Sequence, residues 1–200
     1  MPTDTTAPAA AFTLRPARRD DSRRIAELIR MAADGVADYI WSTLAAPGED
    51  LLDVGARRYA RDGVGFGYRN AVLAEHDDAV IGFTLAFAMP PRADATAEPE
   101  ADPILRPYAE LEVPGSLYIA GIGVQEGFRR HGVATRLLAA ARARARAEAL
   151  DGMSAIVFAA NTASRRLFQG QGFAVIDRRA VVPHPMIRHT GEALLYHAHS

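Results

Sequence analysis

The stretch Leu117 to Leu150, LYIAGIGVQEGFRRHGVATRLLAAARARARAEAL, constrains this chain most. It reads as an apolar strand closed by Val124, a basic turn Arg129-Arg130-His131-Gly132-Val133-Ala134, and a long alanine-rich helix. From Val133 onward Val133, Leu137, Leu138, Ala141 and Ala145 recur at helical spacing. Arg136, Arg142, Arg144 and Arg146 lie largely off that stripe and are expected to be solvated. The first N–H groups of a helix have no intrahelical partner and carry partial positive charge, so such a turn is a natural cradle for phosphate. Gly132 and Ala134 would let the backbone come close to a ligand there.

Composition narrows the classes. Two hundred residues, 49% of them apolar, suit one globular domain with a real core. A formal net charge of −1 excludes a globally basic nucleic-acid binder, and the absence of cysteine excludes disulfides and thiolate chemistry. All 23 basic residues are arginine, so arginine clusters carry less meaning than usual. Residues 1–11 read as a flexible N-terminal tail, with neither the basic start nor the apolar run of a signal peptide. No stretch approaches the roughly 18 apolar residues of a spanning helix. The expectation is a cytoplasmic protein with no membrane partner.

The rest of the chain reads as follows. Phe12 to Arg15 is a short strand stopped by Pro16. Asp20 or Asp21 caps a helix with the stripe Ile25, Leu28, Ile29 and Ala32. After Gly35 a second helix carries Val36, Tyr39, Ile40 and Leu44, and Pro47-Gly48 ends it. A third, opened by Glu49 and Asp50, runs through Tyr59. Asn70 to Ala74 and Ala79 to Phe87 form a hairpin. Residues 90–114 hold six prolines and the acids Asp94, Glu98, Glu100, Asp102, Glu110 and Glu112, either a solvated loop or an acceptor-recognition lid. Beyond the central stretch come a strand Ser154–Ala159, a helix Asn161–Gln169, a strand Phe173–Ala180, an irregular 181–190, and a strand Ala193–His197. Hairpin and crossover connections together predict an α/β (α+β) class: a mixed, mostly antiparallel central sheet flanked by helices, in one domain over 12–200.

Val124-x4-Arg129-x-x-Gly132-x-Ala134 resembles the acetyl-CoA signature of the GCN5-related N-acetyltransferases (GNAT), Arg/Gln-x-x-Gly-x-Gly/Ala. After the next strand, Asn161-Thr-Ala-Ser164-Arg-Arg-Leu167-Phe168 with Gly170-Gln-Gly172-Phe173 is similar to that family's Asn-x-x-Ala-x-x-Leu-Tyr helix and its trailing Gly-Phe. The resemblance covers nearly the whole chain and implies the acyl-CoA N-acyltransferase fold. It also implies an N-acetyltransferase that moves an acetyl group from acetyl-CoA to a primary amine by direct attack in a ternary complex. Two positions depart from the pattern: Ser164 replaces a small alanine, and Phe168 replaces the tyrosine that protonates the leaving CoA thiolate in many members. Phenylalanine has no proton to give, so another group supplies it or the thiolate is protonated by water.

The resemblance implies roles for particular residues. The backbone of Ile122 to Val124 would pair with the pantetheine amides like an added strand. Arg129, Arg130, His131, Gly132, Val133, Ala134 and Thr135 would wrap the pyrophosphate, with Arg129 or Arg130 adding charge-assisted bonds. Asn161 would bind the cofactor, cap its helix, or both, and Phe168 would lie against it. Tyr39, Ile40 and Trp41 fall where the family often walls its acceptor, though ordinary core packing explains them as well.

Acyl transfer needs a neutral amine, and a lysine-like amine is neutral only about once in a thousand at pH 7, a handicap of roughly 4–5 kcal/mol. A general base is the usual remedy. The family position for that base corresponds to Tyr118, a poor base but a workable acid, and the nearest upstream carboxylates are Glu110 and Glu112. Glu112 and Tyr118 are therefore the catalytic candidates. The six histidines complete no ligand set, so no metal is expected. A non-catalytic acyl-CoA-binding domain is the alternative that Phe168 raises. The acceptor, a small-molecule or peptide amine, is not legible, although the acidic 94–112 segment favours a cation by steering. A homodimer is expected by resemblance only, and no nucleic-acid partner is expected.

Overall fold

The computed structural model describes residues 11–91 and 101–199. All but the last residue of the expected N-terminal tail, and the acids Asp94, Glu98 and Glu100, lie outside that range.

Seven strands make one sheet: β1 (Thr13–Pro16), β2 (Ala71–His76), β3 (Ala79–Ala88), β4 (Leu117–Val124), β5 (Gly152–Phe158), β6 (Ala174–Ala180) and β7 (Glu192–His199). Their order is β1-β2-β3-β4-β5-β7-β6, and β4 with β5 is the one parallel neighbour pair. The mixed, mostly antiparallel sheet flanked by helices is therefore as the sequence predicts. The hairpin between β2 and β3 turns on Asp77 and Asp78, both with positive φ (47° and 62°). A two-residue turn needs that geometry to match strand twist, and aspartate tolerates it better than most side chains.

Helices cover both faces. On one side α1 (Ser22–Ala32), α2 (Val36–Leu44) and α3 (Leu51–Tyr59) bury Ile25, Leu28, Ile29, Trp41 and Val54 against Leu73, Phe83 and Leu85. On the other, α5 (Val133–Ala147) and α6 (Thr162–Gly170) bury Leu138, Ala141, Ala145 and Phe168 against Leu117, Ile119, Met153 and Tyr196. Each helix presents one apolar stripe, so two cores form with the sheet between them. A short α4 (Arg106–Ala109) lies within the proline-rich segment, where the sequence suggested only a loop. Leu111, with no exposed surface, pins that segment against Val181, Ala193 and Leu195.

Two expectations are revised. Asp21 occupies the N-cap position of α1, but its carboxylate accepts from the Arg15 guanidinium (2.8 and 2.9 Å) and the Arg18 N–H (2.6 Å) rather than from the helix. Three of the four α5 arginines do more than face solvent, while Arg146 is exposed as expected. Arg144 donates to the Ala86 carbonyl (2.8 Å) and Asn70 Oδ1 (3.1 Å), Arg142 to the Gln171 carbonyl (2.6 Å), and Arg136 to the Phe12 carbonyl (3.1 Å). Their long stems carry charge from one helix to four neighbouring segments.

Candidate active site

The site begins with a failure of two strands to stay together. β4 and β5 pair only at Leu117–Met153, Tyr118–Ser154 and Ile119–Ala155, although β4 runs on to Val124 and β5 to Phe158. Among the described residues, the β5-facing edge of β4 has no strand partner beyond Ile119, while its other edge stays paired to β3 as far as Val124. Unpaired backbone polar groups at such a wedge call for a ligand or solvent to satisfy them.

A β-bulge sits where the wedge opens. Leu85 faces Gly121 and Ala86 faces Ile119, so Ala120 is an extra residue in β4. Ala120 packs on the α1 side, and a Cβ built on Gly121 would point the same way, 2.8 Å from Ile29 Cδ1. Two consecutive residues on one face is what a bulge produces, and it bends the strand away from its neighbour. A side chain at 121 would push on the tip of Ile29.

The turn after β4 meets the mouth of the wedge. Arg130 (φ 65°) and Gly132 (φ 78°) both take left-handed backbone. Gly132 is the N-cap of α5 with no side-chain cap, and a Cβ there would meet nothing within 4 Å. Among the described residues, the N–H groups of Arg130, His131 and Gly132 find no backbone acceptor, and the first-turn N–H groups of Val133, Ala134 and Thr135 add to them. Val133 is buried among Ala74, Ile81 and Leu137, which fixes the helix end on the sheet. Arg129 Nε donates to the Val124 carbonyl at 3.1 Å, while Arg130, His131 and Thr135 are exposed. Successive N–H groups around left-handed residues, at a helix start with open space before it, make an anion cradle.

Behind the wedge lies a cavity of about 690 Å³. Ile122, Asn161, Ser164 and Phe168 line it, and so do Glu112 and Tyr118. The Asn161 side chain accepts from the Ser164 N–H (3.0 Å), so it is an N-cap that also borders the cavity. Phe168 is 3% exposed, edge-on to Phe173 at 5.0 Å. Its ring reaches the cavity wall as core, not as a polar group.

The structure brings Glu112 and Tyr118 into one electrostatic unit. Burial, and then the charge of Glu112, push the Tyr118 phenol up to about 12. Glu112 stands at the rim with part of its side chain open to solvent, and loss of hydration raises its carboxyl above the usual range. The Tyr118 hydroxyl has no hydrogen-bond partner among the described residues, and its ring lies edge-on to Phe87 at 5.6 Å. Glu110 pairs with Arg179 (2.9 Å), outside the cavity.

Residues the sequence did not single out complete the lining. Tyr108 of α4 buries a hydroxyl without a partner, and desolvation raises its phenol to about 12. Arg58 of α3 also lines the cavity, its guanidinium 5.0 Å from the Phe66 centroid. Of the residues the resemblance nominated as an acceptor wall, Ile40 and Trp41 line the cavity, while the Tyr39 hydroxyl donates to Asp102 (2.7 Å) and ties α2 to the proline-rich segment. Nothing in the spacing of Tyr108 or Arg58 distinguishes them from core or surface. Among the described residues no cluster of three or more acidic or histidine side chains could hold a metal, and no helix is long and apolar enough to cross a membrane.

Comparison with known proteins agrees with this geometry. Among solved structures the fold is similar to an N-acetyltransferase from Staphylococcus aureus Mu50, at 17% identity over 93% of this chain and 100% of that chain, TM-score 0.62. It is similar to a ribosomal-protein-alanine N-acetyltransferase from Brucella melitensis at 21% identity, 94% and 99% coverage, TM-score 0.59. It is also similar to a chain of the NatC complex bound to Gag peptide and CoA, at 16% identity, 94% and 98% coverage, TM-score 0.59. A search of curated proteins finds no match. The sequence profile of the acetyltransferase (GNAT) family matches residues 39–173, from the α2 wall of the cavity through the wedge, the cradle and α6. On that match the chain belongs to the acetyltransferase (GNAT) family, and acetyl-CoA is the co-substrate that membership carries.

Proposed function

We propose that this protein is an N-acetyltransferase that moves the acetyl group of acetyl-CoA onto a primary amine by direct attack. The observation that carries the reading is the parting of β4 and β5 beyond Ile119 and Ala155, with an anion cradle at its mouth. The unpaired β4 edge at Ile122 to Val124 suits the amides of the pantetheine arm. The cradle from Arg129 to Thr135 suits the pyrophosphate, each exposed charge–dipole contact contributing about 0.3–1 kcal/mol. Asn161 would hold the arm from the other strand.

In the reaction the amine nitrogen attacks the thioester carbonyl carbon, the C–N bond forms, and the C–S bond breaks to release CoA thiolate. The amine must give up a proton, and Glu112, its carboxyl poised above the usual range, accepts it directly or through water. Tyr118 keeps its proton at neutral pH and is placed in the same cavity to supply one to the thiolate. That assignment fills the role Phe168 cannot. The proposed setting is the cytoplasm.

Incubation with acetyl-CoA and a panel of amines, with free thiol as the readout, tests the reading. Acetyl-CoA-dependent thiol release that requires an amine is the expected result. Failure to bind acetyl-CoA would overturn it. Tight CoA binding with no turnover on any amine would instead favour a non-catalytic acyl-CoA-binding domain, the reading that the buried Phe168 supports.

A further inference from the structure

Around α3 most arginines are paired with carboxylates. Arg57 pairs with Glu49, Arg23 with Asp53, and both Arg19 and Arg69 with Asp62. Arg61 Nε donates to the Arg58 carbonyl (3.0 Å). Arg58 itself has no carboxylate and no hydrogen-bond acceptor for its guanidinium among the described residues; its one partner is the Phe66 ring. Yet it is not a surface group. It is half-buried and lines the cavity beside Trp41, Tyr59, Phe66 and Phe87. Desolvation lowers its pKa, followed by smaller effects of Tyr59 and Arg61. Charged side chains are seldom taken out of water without a counter-charge, because dehydration is then uncompensated.

The same cavity carries the opposite charge at Glu112, beside Tyr118. Ring contacts link the two charges: Arg58 lies on Phe66, Phe66 is edge-on to Phe87 (5.0 Å), and Phe87 is edge-on to Tyr118 (5.6 Å). A ligand lying along these rings meets the cation, aromatic faces and the carboxylate in turn.

Building on the acetyltransferase reading, we propose that the acceptor is a primary amine with a carboxylate on an apolar arm. Its amine points to Glu112 and Tyr118, and its carboxylate pairs with the Arg58 guanidinium. One guanidinium neutralises one carboxylate, with planar groups that can bond in parallel. A phosphate, with close to two negative charges, would leave charge uncompensated among aromatic walls. Arg58 is thus a specificity residue, and the pair of charges fixes which way round the acceptor lies.

The test measures binding, so it stands apart from turnover. The full chain, loaded with CoA, is titrated calorimetrically with matched pairs of amines: ε-aminocaproate against hexylamine, and para-aminomethylbenzoate against benzylamine. At least one carboxylated member is expected to bind about tenfold or more tightly than its partner, as a charge-assisted pair should. Arg58→Met should bring that ratio to near one, and Arg58→Lys should recover part of it. Melting curves of each variant report folding, and if Arg58→Met does not fold the Lys variant and the wild-type ratios carry the test. No preference for any carboxylate in the wild type, or a preference that survives Arg58→Met, overturns the proposal. Acetyl-CoA binding is measured separately in the same samples; its failure would sink the acetyltransferase reading while the carboxylate ratios still decide this one.

Discussion

Ile119 of β4 and Ala155 of β5 are the last residues of the two strands that face each other, and the bulged Ala120 follows at once. The bulge sets where the sheet opens. Downstream of it β4 stays fastened to β3, α1 presses on Gly121, and the chain enters the cradle with its direction already fixed. The cofactor end of the site is therefore a consequence of strand register, and the helix start is only its second half.

Gly132→Ala separates backbone strain from ligand contact. A Cβ there meets nothing within 4 Å, so the cost in the free protein is left-handed backbone alone, about 1–2 kcal/mol. In a chain of this size that is a fall in melting midpoint of roughly 2–8 °C. Acetyl-CoA affinity, by calorimetry well below the melting point, should drop by about tenfold or more, since the methyl occupies the space in front of the cradle. An unchanged affinity would remove the turn from the cofactor site.

The acid limb of the rate profile should belong to Glu112. Its raised carboxyl accepts a proton only when ionised, so its contribution is present above the raised pKa and is lost as pH falls through it. Glu112→Gln should lower kcat by about a hundredfold or more and erase that limb. The measurement is kcat against pH with an acceptor whose own ionisation is known. A variant that keeps the wild-type limb would assign it to the amine instead.

Much of this was legible in the sequence, and the reasons differ along the chain. The strand–turn–helix at 117–147 and the capped helix after Asn161 are local, written in spacing and in glycine. The wedge is not local: it depends on how far β5 stays in register with β4, and no pattern inside either strand encodes that. Glu112 and Tyr118 could be nominated, but their sharing one cavity depends on Leu111 anchoring the preceding segment. Arg58 was invisible because Arg57-Arg58 on a helix reads as two solvated charges. Only the pairing of Arg57 with Glu49 shows that its neighbour has been left over. The α5 arginines misled for the related reason that a long side chain off the apolar stripe can still reach a carbonyl on the next element.

Tyr118→Phe isolates one hydroxyl. The ring contact with Phe87 survives the change, and no hydrogen bond is lost, so the melting midpoint should hardly move. With its phenol near 12 the group stays protonated through the usable pH range and can act as a donor but not as a base. Removing it should lower kcat by about ten- to a hundredfold, with the KM for acetyl-CoA little affected. A more acidic leaving thiol in the acyl donor should narrow the gap. Full activity in Tyr118→Phe would leave water as the proton source.

The Arg15–Asp21 pair should make part of the stability depend on pH, far from the cavity. Arg15 also reaches Glu75 at 2.7 Å, so one guanidinium ties β1, the start of α1 and β2 together. Hydrogen bonding from Arg15, aided by the Arg18 N–H, holds the Asp21 carboxyl below the usual aspartate range. A carboxylate held low in the fold stabilises it above the unfolded pKa of about 3.9 and stops doing so as pH falls through the folded value. Asp21→Asn should therefore cost about 1–3 kcal/mol at neutral pH, the range for a hydrogen bond to a charged group. The gap between variant and wild type, by urea unfolding, should shrink as the pH drops below about 4. A gap that is the same at every pH would mean that Asp21 acts through its shape and its bond to Arg18, and that its charge contributes nothing.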